Sequence, residues 1–296
     1  MSFRKQLRSR FLSRLAVGAA AVGLMMSAAP AQSATAADPA PKLAGVVIVK
    51  KTATVADFQR VTVYCPSGKY VIGGGAEATA PSVGYDAVGL VGSFPEIFEG
   101  QTTSYGWVAN ARNFSGEPTS VTVWAVCATA PQGYEVVQTP TLQVPGDQPV
   151  TAACPAGKAV LGGGGEIQGD GSSLTSSFPR ATAPGQPTQW VVAGHNRSNS
   201  SVGVVGYAVC ADPIADVTWT THKTTKPNPS GGFLMCPAGR YVSGGGASSS
   251  GEYRVLSASR PGLASEGATR DGWWVQAGYL SDDPFATDLY VMCSTR

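Results

Sequence analysis

Cys65-Pro66-Ser67-Gly68-Lys69-Tyr70-Val71-Ile72-Gly73-Gly74-Gly75 returns as Cys154-Pro155-Ala156-Gly157-Lys158-Ala159-Val160-Leu161-Gly162-Gly163-Gly164. It returns again as Cys236-Pro237-Ala238-Gly239-Arg240-Tyr241-Val242-Ser243-Gly244-Gly245-Gly246. The opening cysteines stand 89 and 82 residues apart. The order of features downstream is kept each time. A Ser-x-Pro follows (Ser93-Phe94-Pro95, Ser177-Phe178-Pro179, Ser259-Arg260-Pro261), then a Trp-Val run (Trp107, Trp190, Trp274), then a closing cysteine (Cys127, Cys210, Cys293). Order kept three times marks one supersecondary unit used three times.

The unit reads as β. Val121–Val126 and Val202–Val209 are rich in β-branched and aromatic residues, and Arg60–Cys65 alternates with period two. Gly, Pro, Asn and Ser clusters break the chain at short intervals, no window holds a helical period, and about six short strands fit each unit. Connections this short imply antiparallel pairing. In Cys-Pro-x-Gly, Pro at the second turn position and Gly at the fourth reverse the chain. Glycines inside a strand weaken it unless something lies close against them. The Trp of the later strand is expected to cover them, with Trp107, Trp190 and Trp274 as core and Trp273, Trp124 and Trp219 as exposed contacts. Repeat boundaries are expected at 44–128, 133–211 and 215–296.

Arg4, Lys5, Arg8, Arg10 and Arg14 precede an apolar stretch and small residues around Ala29-Pro30-Ala31 and Ala34-Thr35-Ala36. That order is an export signal over 1–36, with a disordered linker over 37–43. The signal holds five of the 21 basic residues and none of the 19 acidic ones. The rest of the chain carries 16 basic against 19 acidic residues, a net charge of −3. Nucleic acid needs a concentrated basic face, which this composition does not supply. No later stretch is long and apolar enough for a membrane span. A secreted, extracellular protein is expected.

Six cysteines in an exported chain imply three disulfides. Each repeat has one at its start and one at its end, which predicts Cys65–Cys127, Cys154–Cys210 and Cys236–Cys293. No Cys-x-x-Cys and only two histidines are present, so neither a metal nor another cofactor is expected. His195 aligns with Arg112 and Tyr279 and reads as an exposed strand end; His222 reads as solvent-facing. Glu77 and Glu166 follow the glycines in two repeats, with Ser248 in the third. Two carboxylates can hydrolyse a glycoside when they lie about 5 to 10 Å apart.

The three repeats, the Cys-Pro-x-Gly turns before a glycine-rich strand and the closing cysteines resemble vitelline membrane outer layer protein I. The likeness runs over residues 44–296, although the Cys-to-Cys segments here are longer. The resemblance implies a β-prism, three sheets about a pseudo-threefold axis, and a link to extracellular coats and oligosaccharides. The signal is similar in style to those of high-GC Gram-positive bacteria, and the repeats resemble those of secreted actinobacterial proteins. The other architecture open to an all-β chain of this kind is three tandem sandwiches, each with a buried Trp beside an inter-sheet disulfide. No catalytic motif is found, so the expected function is non-enzymatic binding or surface association, with polysaccharide as the ligand class. A structural coat component and a glycoside-active enzyme are the alternatives.

Overall fold

The computed structural model describes residues 42–80, 87–145, 148–197, 200–226, 230–249, 254–279 and 285–295. The expected export signal and residues 37–41 of the expected linker lie outside them. Leu43, at the end of that linker, is buried in an apolar cluster, so ordered packing begins before residue 44.

The first repeat supplies β1 (Val47–Val55), β2 (Val61–Tyr64), β3 (Tyr70–Thr79), β4 (Val88–Glu96), β5 (Gly106–Asn113) and β6 (Thr119–Ala128). The second supplies β7 (Glu135–Gln138), β8 (Leu142–Val144), β9 (Val150–Ala153), β10 (Ala159–Gln168), β11 (Ser172–Arg180), β12 (Gln189–Asn196) and β13 (Val202–Ala211). The third supplies β14 (Thr218–Lys226), β15 (Ser230–Met235), β16 (Tyr241–Ser248), β17 (Arg254–Gly262), β18 (Gly272–Tyr279) and β19 (Phe285–Ser294). β7 and β8 together take the place that β1 and β14 fill in the other repeats.

Three antiparallel sheets result, and each is shared by two repeats. The first runs β1-β6-β3-β17-β18-β15, the second β2-β5-β4-β10-β13-β7, the third β14-β19-β16-β11-β12-β9. Each repeat therefore divides its strands between two sheets, three and three in the first and third repeats and, with β8 beside β13, four and three in the second. Each repeat packs as two layers, but every sheet is shared with another repeat, so the three repeats are not independent tandem sandwiches; they are fused edge to edge into a closed ring of sheets. The seams are short, two residue pairs each: Ala258–Glu77 and Ser259–Ala76, Gly92–Glu166 and Ser93–Gly165, Ser176–Ser248 and Ser177–Ala247. Cys65–Cys127, Cys154–Cys210 and Cys236–Cys293 are bonded, and each tie joins the two halves of one sandwich. Closing a loop of 56 to 62 residues is worth about 4 kcal/mol in the chain-entropy model. Three such bonds belong to an oxidising compartment.

The three glycines of each repeat have three different neighbours. The first, Gly73, Gly162 or Gly244, meets its counterparts at the axis: a Cβ on Gly162 would lie 2.4 Å from the Ile72 carbonyl oxygen and 2.8 Å from Cα of Gly73. The second lies under a tryptophan: a Cβ on Gly74, Gly163 or Gly245 would stand 2.3, 2.5 or 2.3 Å from Cδ2 of Trp107, Trp190 or Trp273. The third lets the preceding repeat's Ser-x-Pro strand cross, since a Cβ on Gly164 would lie 2.0 Å from the Ser93 carbonyl oxygen. Bulges between Val71 and Gly73, Val160 and Gly162, and Val242 and Gly244 mark where each strand turns toward the axis.

The tryptophan over the third repeat's glycine is Trp273, not Trp274. Trp107, Trp190 and Trp273 are buried, and their indole N–H groups donate to Ser93, Ser177 and Ser259 at 2.9, 2.9 and 3.0 Å. The serine of Ser-x-Pro is thus the partner that satisfies a buried indole N–H. The opening turn is also displaced by one position from the expected one. Lys69, Lys158 and Arg240 donate their N–H to Pro66, Pro155 and Pro237, so Pro is first and Gly third. The third place demands positive φ, and Gly68, Gly157 and Gly239 have φ of 76°, 83° and 75°.

Candidate functional site

The rows of residues that cross the sheets beside each seam are equivalent by register, so a difference between them marks a local specialisation. In the second sheet the row reads Thr62, Val108, Phe94. In the third it reads Thr151, Val191, Phe178. In the first it reads Phe233, Trp274, Arg260. Side chains alternate along a strand, and with Trp273 in the core, Trp274 takes the opposite face, where it is half-buried.

Glycine explains how the two large rings fit on a sheet. A Cβ on Gly262 would be 2.5 Å from the Phe233 ring and one on Gly272 2.8 Å from it, so Phe233 lies on bare backbone. Arg260 crosses Gly75 of the first repeat and places its guanidinium 4.8 Å above the Trp124 ring. Its Nε donates to Glu77 Oε2 at 2.8 Å. Lys50 on β1 is ion-paired with Glu266, which comes from the short 3-10 turn Ala264–Glu266 after β17. Phe233, Trp274, Arg260 and Glu266 face a hollow of about 270 Å³. An apolar platform is therefore flanked by two ion pairs whose members keep part of their surface in solvent.

The other two seams carry aromatic pairs in place of Arg260 and Trp124. Phe94 stacks on Tyr207 at 4.9 Å and Phe178 on Tyr290 at 4.8 Å. Burial pushes the Tyr207 phenol up to about 12, with the Glu166 charge adding to the rise and Arg60 opposing it. Burial and then Asp288 push Tyr290 up to about 12, against a hydrogen bond with Thr221. Both phenols keep their proton better folded than unfolded, so their contribution to stability is complete below pH 10. It is lost as pH rises through about 12. Alkaline titration of phenolate absorbance is expected to show three tyrosines, Tyr207, Tyr290 and the buried Tyr134, that ionise only together with loss of near-UV circular dichroism. Smooth ionisation of every tyrosine near pH 10 in folded protein would contradict this.

The remaining sequence candidates fall apart in space. Glu77 is in the first sheet and Glu166 in the second, where Arg60 binds it at 2.6 Å; each carboxylate has its own arginine and they form no shared pair. His195 is 4 % exposed, not an exposed strand end. Ser173, opposite it on β11, packs toward Gly89 of the first repeat. Arg112 is part-buried, its guanidinium over Phe58 and Phe114. His222 is exposed on β14. Trp273 and Trp124, expected as exposed contacts, are buried; Trp219 alone of that group keeps a half-exposed ring. Among the described residues no cluster of His, Cys, Asp and Glu is arranged to hold a metal ion, and no helix is long and apolar enough to cross a membrane.

No family model matches the chain, and no curated protein matches it in sequence. Neither Phe233 nor Arg260 stands out within its own repeat. Their signal is the departure from Thr and Phe at the equivalent places of the other repeats.

Proposed function

We propose that this is a secreted, non-enzymatic binding protein that holds a polysaccharide, of a cell envelope or another extracellular source, on the first sheet. The observation that carries the reading is the replacement of Thr-Val-Phe by Phe233, Trp274 and Arg260 in one of three equivalent rows. Sugar rings present an apolar face and a rim of hydroxyls. Trp274 and Phe233 offer the face a flat partner at low entropic cost, and Arg260, Glu77, Glu266 and Lys50 offer the rim donors and acceptors. Glu77 serves as a hydrogen-bond acceptor here rather than as half of a hydrolytic pair, because Glu166 sits in a different sheet.

The test is retention on insoluble polysaccharides together with a glycan array. The protein is expected to be retained on at least one polysaccharide, and Trp274→Ala and Phe233→Ala to weaken retention at least tenfold while leaving the unfolding transition in place. No retention on any glycan, or retention unchanged in the doubly substituted protein, would overturn the reading.

A further inference from the structure

The two linkers between repeats pack on the repeat they leave, the segment before β1 packs likewise on the third repeat, and the three junctions are equivalent. In the first junction Tyr70, Tyr105 and Tyr134 lie together. The Tyr70 ring is 4.8 Å from Tyr105 and 5.4 Å from Tyr134, and the Tyr134 hydroxyl donates to the Val71 carbonyl at 2.7 Å. Burial raises the Tyr134 phenol, as expected of a ring that is part of the packing.

The register identifies the counterparts of each ring. Tyr70 aligns with Ala159 and Tyr241 in the opening motif. Tyr105, Thr188 and Asp271 each accept the N–H of their repeat's opening cysteine. Tyr134, Val217 and Val46 each precede the residue that pairs with a closing cysteine, Glu135, Thr218 or Val47. The first junction thus has three tyrosines at these places, the third junction one, the second none.

Open space follows the count. Val46, Tyr241 and Asp271 border a cavity of about 260 Å³. Ala159, Thr188 and Val217 border one of about 680 Å³. A volume of this order is typical of small-molecule sites, which run from about 300 to 1,000 Å³. The large cavity has an indole on one wall where its counterparts carry aliphatic side chains. Trp219 stands where the other junctions have Val136 and Ile48, and its indole N–H donates to the Gly185 carbonyl at 2.9 Å, which fixes the ring. Gln186, held to the Val217 carbonyl at 2.9 Å, braces the linker side.

We propose that this second junction binds a small molecule carrying a planar aromatic ring of the phenol type. The ring occupies the space that tyrosines fill in the first junction and lies against Trp219, in the offset or edge-on arrangement that aromatic pairs favour. The fold already shows the occupant it accepts, because the same backbone frame one repeat earlier packs three phenol rings against one another. The site shares no residue with the polysaccharide platform on the first sheet and does not depend on it.

The experiment is calorimetric titration of the full secreted protein with p-cresol, with cyclohexanol as an apolar non-aromatic control and a disordered tyrosine-containing peptide as a polymeric one. Saturable p-cresol binding is expected, at least tenfold tighter than cyclohexanol and no weaker than the peptide. Ala159→Tyr with Thr188→Tyr restores the rings of the first junction and is expected to weaken p-cresol binding at least tenfold while leaving polysaccharide retention unchanged. Should that variant not fold, Val217→Tyr supplies the third ring from the linker side and is expected to act alike. The proposal is overturned by absence of saturable p-cresol binding up to millimolar concentration, by equal binding of cyclohexanol, by tighter binding of the peptide, or by full binding to a folded, ring-restored variant.

Discussion

Gly164→Ala is expected to lower stability by about 3 kcal/mol, the upper end of the range for overpacking, although it adds a single methyl group. That methyl would sit 2.0 Å from the Ser93 carbonyl oxygen and 2.7 Å from Cα of Phe94, both backbone atoms of a neighbouring repeat. Side chains can rotate away from a new methyl, but a paired strand cannot. Ser93 and Gly92 are half of the only pairing between β4 and β10, so relief of the clash would open the seam. Gly206→Ala is the matched control. Its Cβ would meet nothing nearer than 3.7 Å, and alanine is the better strand residue by roughly 0.5–1 kcal/mol. Urea unfolding midpoints of the two variants should move in opposite directions; equal losses would show that the glycines serve a different purpose.

The adjacent tryptophans 273 and 274 should separate stability from binding. Trp273→Ala removes a 1 %-exposed indole, a class of change that costs about 3–5 kcal/mol. It also leaves the Ser259 hydroxyl without its indole N–H, a further loss of about 1 kcal/mol. Trp274→Ala removes a half-buried ring on the opposite face and should cost about 1 kcal/mol or less. Denaturant unfolding of both variants reads the difference directly. A larger loss for Trp274→Ala would reverse the assignment of faces on β18.

The all-β class, the three units and the glycine–tryptophan contact were legible because they rest on patterns within one repeat. Alternation, turn residues and the placing of cysteines are local and survive three copies. The neighbours of each glycine were not legible, because the first and third of each set face backbone of another repeat. The Trp273–Trp274 exchange had a readable signal. The indole and its serine partner are 14, 13 and 14 residues apart in the three repeats. Spacing from Ser-x-Pro therefore identifies the core tryptophan where the Trp-Val pair misplaces it. His195 was misread for the opposite reason: the end of a strand is exposed only if no other repeat covers it. The platform and the second-junction cavity were hidden because both are departures from symmetry. Their meaning appears only when equivalent positions are aligned in space, Phe233 against Thr62 and Thr151, Ala159 against Tyr70.

The seam between β3 and β17 joins the first repeat to the third. A polypeptide delivered N-terminus first must carry β3 and β4 with one flank each unsatisfied until their distant mates emerge. Neither one nor two copies of the unit can saturate these flanks, so assembly is indivisible and completes only on arrival of the final third. Within each copy, an early thiol must likewise wait for a late one. Partially delivered chains are then marked both by sticky borders and by unoxidised sulfhydryls, two features that the finished molecule has lost.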